Sequence, residues 1–165
     1  MTLSEQSAIL LEAIEDELLQ PEDIVRWAAE IIVAMDKPPT WIIELSTLGS
    51  PHMTDFASRL REQAPATLPL RRQIQVVVLA HQAGLLSLSA ALSQLFRITI
   101  LDRGKQPLDA SATRLQDLLV EWDCLDYLDV VEPTLEAKCE AMFREYLKDA
   151  EDIRTALPWK FGKAA

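Results

Sequence analysis

The hydrophobic residues of this chain recur mainly at helical spacing, and they are densest in one stretch near its middle, Pro69 to Leu101. Between Arg72 and Arg97 this stretch has no acidic or basic residue other than one histidine. Apolar residues at helical spacing line one side of its first half: Ile74, Val77, Val78 and Leu85. Val76, Leu79 and Ala80 fill the other side, and a helix that is apolar nearly all round is typical of a protein core. The pattern therefore predicts a central, buried helix that ends at Gly84, with a second helix beginning near Ser87.

Polar residues and prolines divide the remainder into further helices. Thr2 to Glu5 has the capping-box pattern and predicts a first helix that runs to about Gln20. Pro21 opens a second helix with a wide apolar face, and Pro38-Pro39 end it. The apolar face of that second helix comprises Ile24, Trp27, Ala28, Ile31, Ile32 and Met35. Asp109 or Ser111 caps another helix, and a last long helix is predicted from Thr134 to about Ala156.

The sequence therefore predicts an all-α fold, a bundle of six to eight helices around Leu70 to Leu86. The length of 165 residues fits one domain over 1–165, with 157–165 as a non-helical C-terminal tail. An α/β alternative is a strand–helix–strand unit over 75–101, because Val76 to Val78 is a β-branched run and Ile98 alternates with Ile100. A membrane span is excluded, because glutamines, serines and His81 interrupt the apolar stretch.

The charge of the chain indicates what kind of partner it binds. The formal net charge is −10, and residues 1–55 alone carry eleven acidic and two basic side chains. An acidic protein repels nucleic acid and favours basic partners. The N-terminal residues lack the basic region of a secretory signal, so we expect a cytoplasmic protein with no membrane association.

Signatures of catalysis or of a cofactor site are lacking in the sequence. Cys124 and Cys139 form no C-x-x-C pair and have no neighbour that would lower a thiol pKa. His52 and His81 begin no pair with metal-ligand spacing, and carboxylates four residues apart are more often a solvated helix face. We therefore expect no cofactor and no metal, and the sequence favours a protein that is not an enzyme.

Two groups of residues are candidates for binding. Arg71 and Arg72 lie in the first turn of the central helix, where free backbone donors attract anions, and His81 lies on its apolar stripe. These three residues would line a pocket or contact an anion. The aromatic residues Trp41, Trp159 and Phe161 are candidates for contacts with a partner protein, although each can equally fold back onto the core.

Together these features predict a non-catalytic, acidic protein-binding module. An inhibitor, an immunity-type protein or an adaptor for a basic partner would have this character, and a homo-oligomer would cover the apolar helix with a second subunit. The alternative is a small-molecule sensor or an enzyme with a pocket among the helices near His81.

Overall fold

A computed structural model describes residues 1–49, 52–65, 68–101, 107–126 and 133–157 of the chain. These residues form nine α-helices and one π-helical turn, Arg97–Leu101, which continues α6. The helices are α1 (Leu3–Glu15), α2 (Pro21–Ala34), α3 (Thr40–Thr47), α4 (Met53–Gln63), α5 (Leu70–Gln82), α6 (Leu88–Phe96), α7 (Ala110–Asp126), α8 (Pro133–Leu147) and α9 (Glu151–Ala156). No strand occurs in these ranges, so the all-α prediction is confirmed. None of the described helices is both long and apolar enough to cross a lipid bilayer.

The α/β alternative for 75–101 is not supported. Residues 75–80 lie within α5, and 97–101 form the π-helical turn. The run Val76 to Val78 is buried on a helix that has core on nearly every side. Burial of this kind overrides the weak preference of β-branched residues for strands.

Contacts between residues divide the chain into two compact units. The first unit comprises Met1–Leu68 and Asp152–Ala165, and the second comprises Pro69–Glu151. A single domain over 1–165 stays a prediction. The predicted tail, 157–165, lies outside the described residues except for Leu157, which is buried.

In the first unit, α1 packs against α4 and α2 packs against α3. Thr2 begins α1 with the predicted capping box: its hydroxyl accepts from the Glu5 N–H, and the Glu5 carboxylate accepts from the Thr2 N–H. The largest fully buried side chains of this unit are Ile9, Leu10, Ile24, Ile42, Leu45, Phe56 and Leu60.

In the second unit, α5 is the central helix and packs against α6, α8 and the π-helical turn. α5 ends at Gln82, and Gly84, two residues on, is the predicted left-handed stop: its φ of 74° is a conformation that glycine favours. Ser87 then caps α6 by accepting from the Ala90 N–H at 3.1 Å. The predicted helical hairpin thus supplies part of the core of this unit, and buried residues of α7 and α8 supply the rest.

Two helix ends differ from the prediction. α1 ends at Glu15 and not at Gln20, because Glu17 takes a φ of 59° and the Leu18 N–H bonds back to the Ala13 carbonyl. The last long helix is two helices, because the chain leaves the helical path at residues 148–150, between α8 and α9. No glycine or proline occurs at either break, so the sequence contains no usual signal for the end of a helix there.

Candidate functional site

The second half of α2 leaves its apolar residues uncovered. From Glu30 to Lys37 no residue is buried, although the five residues from Ile31 to Met35 are hydrophobic. Val33 is 89% exposed and Met35 is 38% exposed, while Ile31 and Ile32 are half-buried. We call residues 30–37 the α2 terminus. An apolar surface of this kind, bordered by charged residues, is a usual feature of a protein-binding site.

The hydrophobic residues of the α2 terminus are exposed because of the way in which α2 packs against α3 and then ends. Its first half buries Ile24, Trp27 and Ala28, and α3 packs against it. Pro38 and Pro39 end the helix and turn the chain before α3 begins at Thr40. Ile31, Ile32 and Val33 are consecutive, and a helix turns about 100° per residue. One neighbouring helix therefore cannot cover all three.

The α2 terminus has uncompensated negative charge. Glu30 and Asp36 are exposed, and neither has an ion-pair partner among the described residues. The C-terminal end of a helix adds partial negative charge, and the last turn of α2 has no basic residue to offset it. Lys37 is the one cation of the terminus.

The arginines of this unit's first four helices are engaged elsewhere. Arg26 pairs with Asp23 at 3.3 Å, and Arg61 pairs with Glu15 at 3.4 Å. Arg59 lies 4.0 Å from Glu44 and 3.7 Å from Glu62. These pairs neutralise carboxylates on all four helices, and Lys37 is the one cation beside the two carboxylates of the α2 terminus.

A cleft of about 380 Å³ adjoins this surface within the first unit. We call it the acidic cleft. Among the described residues, its lining combines apolar side chains with two carboxylates and includes no lysine, arginine or histidine: Met1, Gln6, Trp27, Glu30, Ile31, Asp152, Thr155 and Ala156. The Trp27 indole N–H donates to Gln6 Oε1 at 3.2 Å and so fixes one wall. Glu30 and Ile31 belong both to the cleft and to the α2 terminus, which makes the two one continuous surface.

Of the three predicted aromatic anchors, the structure describes only Trp41. It lies in the first turn of α3, half-buried, with its ring centroid 6.2 Å from that of Trp27. Trp41 therefore helps to hold α3 on α2 and does not project freely. Trp159 and Phe161 lie outside the described residues.

The predicted anion contact Arg71 binds a carboxylate of the protein itself. Its Nε and Nη2 donate to the two carboxylate oxygens of Asp149 at 3.1 and 2.9 Å. Its guanidinium also lies 5.0 Å from the Tyr146 ring centroid and 4.0 Å from Asp109. Hydrogen bonding with Asp149 raises the pKa of Arg71 and lowers that of Asp149. Most of the charge that Arg71 would offer an anion is thus already matched.

The same carboxylate binds a buried amide. Gln75 is fully buried, and its Nε2 donates to the Tyr146 carbonyl at 3.0 Å and to Asp149 Oδ1 at 2.8 Å. Arg72 is the second predicted anion contact, and its Nη1 donates to Gln75 Oε1 at 3.2 Å. These bonds join α5 to α8 and to the turn that follows it, which gives both arginines a structural role.

His81 is also held by hydrogen bonds and packing. Its Nδ1 lies 2.9 Å from the Leu86 carbonyl, its Nε2 lies 3.4 Å from Glu140 Oε1, and its ring meets the edge of Phe143 at 5.5 Å. Cavities of about 380, 350, 260 and 200 Å³ occur among the described residues, and none of the four includes His81 in its lining. This geometry fits a hydrogen-bonded histidine at the edge of the core.

Sequence reasoning missed the α2 terminus, because the wide apolar face that the pattern predicts for this helix includes Ile31, Ile32 and Met35 and leaves out Val33. The consecutive run Ile31 to Val33 was the available signal. No group of three or more His, Cys, Asp or Glu residues in the described ranges could hold a metal ion. No family model, curated protein or solved structure matches the chain.

Proposed function

We propose that this protein is a non-catalytic protein-binding module, and that its α2 terminus and acidic cleft receive a basic, amphipathic segment of a partner protein. One observation carries the proposal: five consecutive hydrophobic residues, Ile31 to Met35, none of which is buried, lie between two carboxylates that have no ion-pair partner among the described residues.

The apolar residues would supply most of the affinity. Burial of a Val or Met side chain contributes about 1.5 to 3 kcal/mol. A rim carboxylate contributes about 0.2 to 1 kcal/mol and is weakened by salt. Glu30 and Asp36 would therefore contribute mainly selectivity and association rate. The partner segment should present apolar side chains flanked by lysine or arginine.

A second copy of this chain fits the surface less well than a basic partner. A two-fold interface brings the same patch of each subunit together, so Glu30 and Asp36 would meet their own counterparts. The net charge of −10 adds a long-range repulsion between copies. A basic segment turns the same charges into attraction.

The biological form of such a module would be an inhibitor, an immunity-type protein or an adaptor. Each works by covering or tethering a basic surface, and none requires a reactive group. These forms differ in which surface of the partner is covered. An inhibitor covers the active site of its partner, and an adaptor leaves that active site open.

A direct test uses a synthetic amphipathic helix of leucine and lysine, about four turns long, titrated against the full chain. We expect binding that weakens as salt rises from about 50 to about 500 mM. Val33→Gln should weaken it about tenfold, because it removes an apolar contact from an 89% exposed site. Glu30→Gln should weaken it about two- to fivefold.

Two matched controls come from the chain itself. Val120→Gln makes the same substitution at an exposed valine of α7, and Glu22→Gln removes a carboxylate from the other end of α2. Neither should change the affinity. Equal effects of Val33→Gln and Val120→Gln would contradict the proposal, as would equally tight binding of a leucine–glutamate peptide.

The natural partner can then be sought with a photoreactive amino acid at position 33. Position 58 on α4, an exposed serine of the same unit, is the control. A protein cross-linked from 33 and not from 58, through a segment rich in lysine or arginine, would support the proposal. A cross-link to a second copy of this chain would replace it with self-association.

A further inference from the structure

A second cavity lies within the second unit and has a different chemical character. It encloses about 200 Å³ among α6, α7 and α8. Its lining is mainly apolar: Leu88, Ser89, Leu92, Trp122, Leu135, Glu136 and Cys139. α6 and α8 each contribute residues at positions i, i+1 and i+4, so the same spacing on both helices builds opposite walls.

The cavity has an apolar floor and a polar mouth. Leu92, Leu135 and Cys139 are buried, whereas Ser89 and Glu136 are exposed. Its volume exceeds the roughly 150 Å³ of an apolar protein cavity that holds benzene. One aromatic ring or a short branched alkyl group with a one-carbon arm therefore matches the space.

Cys139 acts as part of the apolar wall. Desolvation, together with nearby carboxylates, raises the pKa of its thiol to about 11. At neutral pH it is an uncharged thiol and a poor nucleophile. A ligand of this cavity would bind without forming a covalent bond.

The charges around the cavity favour a cation. Among the described residues, Glu136 is the only acidic or basic residue of the lining, and it has no ion-pair partner there. Nearby on α7 and α8, Lys138 pairs with Glu121 at 2.9 Å, so Glu136 keeps its negative charge without a cation beside it in the described part of the chain. The field is therefore negative, and Trp122 adds an aromatic face that attracts a cation.

We propose that this cavity binds a small hydrophobic amine, with its ring or alkyl body on the Leu92–Leu135–Cys139 floor and its ammonium group at Glu136. The protein would thus have a small-molecule site in addition to its partner-binding surface. This site lies at α6 and α8, whereas the alternative interpretation of the sequence puts a pocket near His81.

Three probes that share one ring and differ in charge test the proposal: benzylamine, benzyl alcohol and benzoate. Each is titrated into the full chain while the methyl signals of Leu88, Leu92 and Leu135 are followed by NMR. We expect benzylamine to bind with a Kd on the order of 0.1 to 1 mM, a reasonable value for so few atoms. Benzyl alcohol should bind about threefold or more weakly, and benzoate should not bind.

Variants at the mouth separate this site from general attraction to an acidic protein. Glu136→Gln, at an exposed position, should reduce the affinity for benzylamine to that for benzyl alcohol. Ser89→Trp should block both. Asp117→Asn removes an exposed carboxylate of α7 that is not in the lining, and it should change nothing.

The proposal is overturned if Glu136→Gln and Asp117→Asn have equal effects, if benzoate binds as well as benzylamine, or if the leucine methyl signals do not move. Val33→Gln should leave benzylamine binding unchanged. The proposal for the cavity and the proposal for the α2 terminus can therefore be tested independently.

Discussion

Removal of the Asp149 side chain tests the network that holds α5 against the end of α8. Asp149 lies in the turn after α8, where its carboxylate accepts two hydrogen bonds from Arg71 and one from Gln75. Asp149→Ala removes all three. Gln75 keeps its bond to the Tyr146 carbonyl, so its buried amide loses only part of its partners.

The expected cost combines two contributions. The side chains of Arg71 and Asp149 are 33% and 57% exposed, so solvent screens their ion pair to about 0.5 to 1 kcal/mol. The hydrogen bond from buried Gln75 contributes about 1 kcal/mol more. Asp149→Ala should therefore lower the free energy of unfolding by about 1.5 to 2 kcal/mol. Asp149→Asn can keep the bond from Gln75 and should cost only the ion-pair part.

The contribution of Asp149 should also depend on pH. Its pKa in the folded state is lowered, chiefly by the hydrogen bond from Arg71, so the unfolded chain takes up this proton first as the pH falls. The stabilisation is therefore complete above the unfolded pKa of about 3.9 and is lost as pH falls through the folded pKa. The stability difference between wild type and Asp149→Asn should shrink from about pH 5 downwards.

Urea denaturation and hydrogen exchange of the α5 and α8 amides measure these effects. Hydrogen exchange reports on individual amides, so it shows whether the loss of stability lies in α5 and α8, the two helices that these hydrogen bonds join. The control is Asp117→Ala, which removes an exposed carboxylate of α7 that makes none of these bonds. Our reasoning is refuted if Asp149→Ala costs no more than the control, or if the difference between wild type and Asp149→Asn persists undiminished at about pH 3.

Three further substitutions test local features by urea denaturation. Glu17→Gly should stabilise the protein by about 0.5 to 1 kcal/mol, because Glu17 has a φ of 59° that glycine adopts freely. Gly84→Ala should destabilise the protein by about 1 kcal/mol through backbone strain alone, since an added Cβ would meet nothing within 4 Å. Changes in the free energy of unfolding that have the same sign for Glu17→Gly and Gly84→Ala would contradict this reasoning. Tyr146→Phe should stabilise the protein by about 1 kcal/mol, because the phenolic O–H is buried and has no hydrogen-bond partner in the part of the chain that the structure describes. A clear loss of stability would show that the hydroxyl is bonded.

The features that could be predicted from the sequence are those set by neighbouring residues. The capping box at Thr2, the left-handed stop at Gly84 and the caps at Ser87 and Asp109 each depend on one side chain and the backbone within a few residues. The burial of α5 could be predicted because a stretch without acidic residues, lysine or arginine from 73 to 96 is rarely exposed to solvent.

The features that were missed depend on contacts distant in the sequence. Glu17 takes a conformation that glutamate rarely adopts, and nothing local indicates that α1 stops there. The break after α8 coincides with the bonds of Asp149 to α5, across more than seventy residues of chain. A helical pattern continues through this break, so periodicity alone predicts one helix where there are two.

The α2 terminus illustrates why periodicity predicts burial poorly at helix ends. An amphipathic pattern states which side of a helix is apolar, but not how far along the helix a neighbour extends. α3 packs against the part of α2 that carries Trp27, and the hydrophobic residues that follow are half-buried at Ile31 and Ile32 and exposed from Val33 to Met35. If the surface binds a partner as proposed, its carboxylates serve two purposes. They oppose self-association of the exposed hydrophobic residues, and they make a basic segment the better occupant.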